Sequence, residues 1–436
     1  MPPRDLNENR LPASIKLESA MKILFAFENP LPNAEADAEV FVTTSRYLGV
    51  HLEDNWLHVP VTRENQGVAQ GLANMPIIRA FAPLRPAALR HFLCGITIGL
   101  RREFHQADLV YTRNLWVAWM SILCGQRVVF DHYRPWPDQI PPLQRWLYKL
   151  FTHPRFLGSI CHSEYTRQKY IELGVPSEKL RCIHNGFEPR RFMTPIPLAD
   201  AKARIGVAAE AKTVIYTGRV NHKKGLELVI EAAKQLPQLT FLFVGSYGEG
   251  KVEALARQVQ NIIVVPWQTE ATLGNYIHAA DVLLIPPSLQ PLAKFGSTVL
   301  PLKLFFYLGS GRPILAGRTP DVAEVLKNDE TALLVQPDSL EALVAGLLAL
   351  TEDEVLAAKL SAGAAADSRN YTWNARAEKV FATVSAWLAD AARPKPGNWG
   401  ATQVTAWKRG SRRWFAHFAC TRSVILPPDG TGQRAE

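Results

Sequence analysis

From Met21 onward the chain alternates short, fully apolar runs with longer stretches whose apolar positions recur every three or four residues. MKILFAF, DLVYTR (108–113), RVVFDH (127–132), FLGSIC (156–161) and LRCIHNG (180–186) carry no polar alternation, so they predict strands covered on both faces. Between them, Ala34 to Leu48 and the stretch YTRQKYIELG, stopped at Gly174, predict helices. A second series opens near Thr213 with TVIYTGR, LTFLFVGS, NIIVVPW, DVLLIPP, PILAG and TALLVQP as strands. LELVIEAAKQL, VEALARQVQ, ATLGNYIHAA, PLKLFFYLGSG, DVAEVLKN and SLEALVAGLLAL are the intervening helices. Strands alternating with helices in this way predict parallel sheets covered on both faces. Helical pattern returns at Trp373 to Leu388 and ends before Pro394.

The expected fold class is therefore α/β, with two Rossmann-like domains facing across a cleft and joined through roughly 187–212. A length of 436 residues suits two or three cores. Hydrophobic content of 47% and charged content of 20% exclude a disordered chain. Cys94, Cys124, Cys161, Cys182 and Cys420 are scattered and odd in number, which argues against a disulfide framework or zinc site and for a reducing, cytoplasmic setting. The longest apolar runs, Phe92 to Leu100 and Leu115 to Gly125, are too short to span a bilayer and read as core. Residues 1–20 are charged throughout, lack a signal-peptide core and read as a disordered extension, with Met21 as the functional start. The net charge of +9 is concentrated in residues 21–195 and in the tail, 394–436, which points to an anionic partner there. Two segments interleave aromatic and basic residues, LQRWLYKLF (143–151) and VTAWKRGSRRWFAHF (404–418). They suggest peripheral contact with an anionic membrane surface, on its inner face.

Candidate chemistry lies where strands end. In TVLPLKLFFYLGSGRP (298–313) a loop containing Thr298, Val299 and Leu300 leads into a helix after the DVLLIPP strand. Free N–H groups and the helix dipole favour a phosphate at such a place. In YTGRVNHKKG (216–225) the strand stops at Gly218, which lets a ligand approach the backbone, and Arg219 and Lys224 supply two fixed cations. That pair suits a diphosphate whose charge grows as a bond to it breaks. Asp131 and His132 end a strand of the first half. After the first strand, a helix starting near Asn33 would turn Asp37 and Glu39 toward the cleft to bind sugar hydroxyls, unless they are simply first-turn acids.

In order, these segments resemble the retaining glycosyltransferases of family 4 over about 21–390. The resemblance implies a GT-B architecture with domains at 21–195 (acceptor side) and 196–378 (donor side), and a crossover helix at 379–393. It implies that Arg219 and Lys224 bind the donor pyrophosphate, that Gly245 lines the donor pocket, and that Pro266 and Trp267 face the base. It also places Lys303 in the donor segment and His132 near the transferred sugar. The expected reaction needs no cofactor or metal: a UDP-, GDP- or ADP-sugar gives its sugar, with retention, to a glycan or lipid-linked acceptor. Two departures stand out, Thr298 and Phe306 where the family usually has Glu. Phe306 is expected in the cleft, the alternative being a core position beside Leu304 and Tyr307. The departures favour a rival reading, a pseudoenzyme serving as a binding or scaffold subunit. A dinucleotide enzyme is disfavoured because no Gly-x-Gly-x-x-Gly follows either opening strand, and no nucleic-acid module is recognisable.

Overall fold

The computed structural model describes residues 21–33, 36–132, 136–192, 196–248, 250–289 and 300–392. The extension at 1–20, Thr298, Val299 and the basic aromatic tail therefore lie outside the described residues. Among the described residues, thirteen strands form two wholly parallel sheets. The first comprises β1 (Lys22–Ala26), β2 (Asp54–Val59), β3 (Ile77–Arg79), β4 (Leu109–Thr112), β5 (Val128–His132), β6 (Phe156–Cys161) and β7 (Leu180–Cys182), ordered β3-β2-β1-β4-β5-β6-β7. The second comprises β8 (Lys212–Thr217), β9 (Leu239–Ser246), β10 (Ile262–Pro266), β11 (Val282–Ile285), β12 (Ile314–Gly317) and β13 (Leu333–Val335), ordered β10-β9-β8-β11-β12-β13. In both, the strand order reverses direction beside the first strand, and ligands of open α/β sheets collect at that switch point, outside the strands' carboxyl ends.

Strand alternation decides which core each side chain joins. Ile23 and Phe25 of β1 pack with Tyr111, Val129 and the terminal helix, whereas Leu24 and Ala26 pack with Cys94, Ile98 and Val110 on the other face. The terminal helix runs Trp373–Ala392, starting six residues before the expected crossover. It lies on the first sheet, with Ala377, Val380, Val384 and Trp387 in that sheet's core. Gly158 makes this seat possible, since a Cβ there would stand 2.5 Å from the Trp387 ring. DVAEVLKN, expected as a helix, forms only a single 3₁₀ turn at Val322–Glu324.

Charge reinforces the seat. Asp131, at the end of β5 and 1% exposed, accepts from Arg113 Nη2 at 3.2 Å, from Arg376 Nη2 at 3.3 Å and from Tyr111 Oη at 3.0 Å. Arg376 also donates to the carbonyls of Ile183 and His184 and, at 3.1 Å, to Thr44 Oγ1. Removing the one carboxylate would leave two buried guanidiniums without their counter-charge. Asp131→Ala is expected to cost about 3–5 kcal/mol, read as a lowered urea midpoint with an unchanged slope.

Candidate functional site

On the second sheet the site begins with two glycines that hold left-handed backbone. Gly218 ends β8 at φ +126° and Gly245 lies in β9 at φ +119°. A Cβ on Gly245 would fall 2.6 Å from the Gly218 carbonyl oxygen, so the two strand ends meet backbone to backbone. Space above Gly218 is taken by Lys303, whose ammonium would be 3.1 Å from a Cβ placed there.

Lys303 comes from the helix Leu302–Ser310, the expected phosphate-loop helix. Its Nζ lies 3.5 Å from the centre of the Tyr216 ring. No carboxylate pairs with it among the described residues. Burial and the nearby Lys224 charge hold its pKa well below the ordinary lysine value. Lys224 is lowered as well, by burial and then by Arg219 and Lys223. Arg219, Lys224 and Lys303 thus converge at the end of β8 as mutually repelling cations.

Beside them opens a cavity of about 410 Å³, lined by Arg219, Val220, Asn221, Tyr247, Gly250 and Glu253. Arg219 lies over the Tyr247 ring at 5.1 Å, and Tyr247 approaches Trp267 with ring centres 6.5 Å apart. Trp267 is 48% exposed and follows Pro266 at the end of β10. The glycine-rich turn is stiffened by Glu253, which accepts from Ser246 Oγ and from the Gly250 N–H. Tyr247 was not singled out from sequence; its only mark there is its place inside the FVGSYGEG turn.

Three expectations need correction. Phe306 is 8% exposed within an apolar cluster with Leu304, Phe305 and Tyr307. Phe306 lies one turn after Lys303, on the same side of the helix, but its ring is covered rather than open to the cleft. Leu300 is likewise fully buried in that cluster, which leaves its side chain no part in a ligand site. His132 is 1% exposed, because alternation along β5 puts it on the same face as Phe130. Its ring packs against Tyr170 at 4.0 Å, Phe130 at 4.7 Å and Phe151 at 5.2 Å, and Nε2 meets Ser159 Oγ at 3.0 Å. Desolvation, then His162 and Arg113, push its pKa well below the usual value, so it is a neutral core histidine.

Beside the first sheet, Asp37 and Glu39 lie in the first turn of helix Ala36–Gly49, which starts three residues later than expected. Asp37 Oδ2 accepts from Asn29 Nδ2 at 2.8 Å and the Asp37 carbonyl from Arg113 Nη1 at 2.8 Å. Asn33 and Glu39 flank it, both partly buried. The sequence reading passed over Glu28, whose carboxyl sits behind Asp37 with Oε2 buried and unbonded among the described residues. Burial, and then the Asp37 charge, push its pKa up to about 7. Nothing in the local sequence distinguishes Glu28 from any other acid at a strand end.

The domains also touch directly. Glu324, in the second domain, accepts from the N–H groups of Glu164 at 2.6 Å and Tyr165 at 2.7 Å, at the N-terminus of helix Glu164–Glu172. His184 Nε2 lies 3.2 Å from the same carboxylate, with Cys182 Sγ 3.7 Å from that nitrogen. Cys182, His184 and Glu324 are the one grouping among the described residues with metal-ligand spacing. Both Glu324 oxygens are already engaged by backbone donors, and the group acts as a clasp between the domains.

Residues 34–191 match the model described as Glycosyltransferase Family 4, and 211–353 the model described as Glycosyl transferases group 1. The chain is 26% identical over 223 residues to a D-inositol 3-phosphate glycosyltransferase of Xylanimonas cellulosilytica, covering 48% of this chain and 51% of that protein. It is 26% identical to the amylovoran biosynthesis glycosyltransferase AmsK of Erwinia amylovora, covering 61% of each. The chain spans about half the length of the first of these relatives. Among solved structures, Anabaena HepE in complex with UDP and glucose matches with TM-score 0.66 and 17% identity, over 84% of this chain and all of that one. The sucrose-phosphate synthase of Thermosynechococcus elongatus matches with TM-score 0.66 and 17% identity, over 85% and 100%. These likenesses confirm the fold of two facing Rossmann-like domains.

The correction at His132 has a measurable consequence. A histidine buried neutral stabilises the fold fully above its unfolded pKa of about 6.5, and that contribution is lost progressively as pH falls toward the depressed folded value. From pH 7 to pH 5 the protein should therefore lose about 2 kcal/mol more stability than His132→Phe does. Denaturant melts of both at the two pH values measure this, and turnover of the variant should stay within a few-fold of the parent.

Proposed function

Because this chain belongs to the GT-B glycosyltransferases of the family 4 type, we propose that it transfers a sugar, with retention, from a UDP-, GDP- or ADP-sugar to a glycan or lipid-linked acceptor. The observation that carries the reading is the cation set at the end of β8. Lys303 and Lys224 are held beside each other with no carboxylate paired to Lys303 among the described residues, at a strand end whose glycines bare the backbone. Such a charge is stabilised by a polyanion, and a nucleotide diphosphate supplies one. A bound UDP in HepE, of like fold, supports the same class of ligand.

In this mechanism the bond from the anomeric carbon to the diphosphate oxygen breaks while a bond to the acceptor oxygen forms on the same face. The acceptor proton passes to the departing phosphate oxygen. Arg219 and Lys224 stabilise the charge that grows on the leaving group, so no metal is required. Lys303 anchors the diphosphate from below, and Tyr247 and Trp267 offer exposed rings on which the base can stack. Asp37 and Asn29, already hydrogen-bonded to each other, form the polar wall for acceptor hydroxyls. The catalytic share assigned from sequence to His132 has no place here.

The pseudoenzyme reading keeps its two departures, Thr298 and Phe306 in place of acids. It predicts nucleotide-sugar binding without turnover. If Arg219 and Lys224 hold the leaving diphosphate, Arg219→Ala and Lys224→Ala should each slow transfer by on the order of 100-fold, about 3 kcal/mol, with melting temperature nearly unchanged. Equal turnover in both variants would remove the assignment.

Lys303 offers a readout that does not depend on turnover. Its lowered pKa should rise toward the ordinary value when a diphosphate sits beside it, so UDP binding should take up protons at neutral to mildly alkaline pH. Calorimetric titration with UDP in buffers of different ionisation enthalpy would show this as a buffer-dependent heat. That dependence should vanish in Lys303→Met, and its absence in the parent would place the diphosphate elsewhere.

A further inference from the structure

The contact between the domains holds more donor atoms than hydrogen bonds can satisfy. β7 ends at Cys182, and His184 follows two residues on, so the chain carries both side chains to one side. The 3₁₀ turn Val322–Glu324 of the second domain brings Glu324 up to them. His184 Nε2 lies 3.7 Å from Cys182 Sγ and 3.2 Å from Glu324 Oε2. All three ligand atoms fall within 4.8 Å of one another. Scattered cysteines argue against a zinc site in the sequence, and a Cys-x-His pair completed by a carboxylate 140 residues away leaves no mark there.

A single nitrogen cannot serve both neighbours. Neutral imidazole Nε2 offers one in-plane position, either an N–H or a lone pair. With the N–H it donates to Glu324 and leaves the Cys182 thiol no acceptor in this group. With the lone pair it accepts from the thiol but faces the lone pairs of the carboxylate. A metal ion among the three satisfies all of them, and the spacings suit one. With Zn–S of about 2.3 Å and Zn–N and Zn–O of about 2.0 Å, tetrahedral edges are about 3.6 Å from sulfur to nitrogen and about 3.3 Å from nitrogen to oxygen.

Glu324 has the capacity to take part. Each carboxylate oxygen carries two lone pairs, and Oε2 accepts from the Glu164 N–H with one while it faces His184 with the other. The bonds from Glu164 and Tyr165 orient the carboxylate as outer-shell partners orient a metal ligand. His184 is placed by Arg376, which donates to its carbonyl at 3.1 Å, and by the Tyr371 ring, 6.0 Å away edge to face. The His184 and Glu324 side chains are 22% and 14% exposed, so an ion can enter and keep a water.

Charge also favours a cation. Burial and then the Glu324 charge push the Cys182 thiol up to about 12, and a dication between sulfur and carboxylate takes the place of that proton. Of the charges that reach the thiol, those of Glu324 and Glu164 are stronger than those of Arg376 and Arg167. Thiolate, imidazole and carboxylate together suit zinc better than magnesium or calcium.

We propose that Cys182, His184 and Glu324 bind a zinc ion across the domain interface, with water as the fourth ligand, and that the ion holds the two domains together. The site shares no residue with the cations at β8, so zinc acts on domain opening and takes no part in the transfer itself. Slower turnover as the consequence rests on the proposed function, whereas the binding does not.

The test titrates the chelator-treated full chain with Zn²⁺, and with Co²⁺ as a spectroscopic probe. One equivalent of Co²⁺ should give a thiolate-to-metal charge-transfer band that Zn²⁺ removes and Cys182→Ser abolishes. His184→Ala and Glu324→Gln should each weaken Zn²⁺ binding at least tenfold. Zn²⁺ should raise the melting temperature of the parent but not of Cys182→Ser, with metal-free melts showing that each variant folds. Absence of the band, or a band that survives Cys182→Ser, would overturn the site. Binding undiminished in Glu324→Gln would place the ion in the first domain alone and overturn the bridge. Zinc binding that needs all three residues in a chain that transfers no sugar would uphold the site and remove the functional reading. Transfer by a chain that binds no zinc would do the reverse.

Discussion

A single buried carboxylate, Asp131, fixes how the terminal helix returns to the first domain. Its two guanidinium partners come from different places in the chain, Arg113 from the loop after β4 and Arg376 from the terminal helix. Each buried charge would be costly alone, and the three are tolerable only together. Arg376 then spends its remaining donors on the carbonyls of Ile183 and His184, at the exit from β7. The polypeptide leaves the first domain at the point where its own C-terminal helix re-enters it. Because that helix starts at Trp373, directly after Tyr371 packs on Phe305 of the second domain, the same anchor fixes the second domain's attachment.

The proposed donor site has the opposite character, an arrangement of like charges rather than of paired ones. Backbone at Gly218 and Gly245 is drawn so close that no side chain could intervene. Lys303 fills the space above, held by the Tyr216 ring rather than by a carboxylate. Helix Leu302–Ser310 is secured independently, with Tyr307 Oη accepting from the Thr217 N–H at 2.9 Å and Phe305 and Leu308 in the core. A rigid apolar frame thus holds Lys303 near Lys224, with no carboxylate paired to Lys303 among the described residues, an arrangement that suits an anionic ligand. Preorganisation of this kind loses stability in the empty protein and returns it on binding.

What the sequence made legible follows from which forces act locally. The fully apolar runs identified most strands, because strands covered on both faces need no partner information. The exceptions were β2 and β3: DNWLHV mixes polar and apolar positions, and β3 is only three residues long. Gly218, Arg219 and Lys224 were legible because a strand, a glycine and a cation pair fall within ten residues. His132 and Phe306 were misplaced for a shared reason: position near a strand or helix end says that a residue is close to the cleft, not that its side chain opens onto it. Alternation along β5 turns His132 under the sheet, and Phe306, one turn after Lys303 on the same side of its helix, is covered by neighbouring apolar side chains. Helix Ala87–Ile98 was misread because an apolar run looks the same whether its outer face is covered or, as at Leu89, Phe92 and Ile96, exposed.

The clasp at Glu324 and the cation set at β8 both belong to the second domain, and it is the clasp that reaches across to the first. Glu324 lays a carboxylate across the N-terminus of helix Glu164–Glu172, where free N–H groups and the helix dipole favour negative charge. That contact can be made only when the domains are close, so it favours closure whether or not a ligand is present. Burial and then Lys224 lower the pKa of Lys303 within the second domain, so the repulsion of these cations lies inside one domain and does not itself oppose closure. Two hydrogen bonds at a partly exposed helix end contribute modestly, so the clasp biases the domains toward closure without locking them.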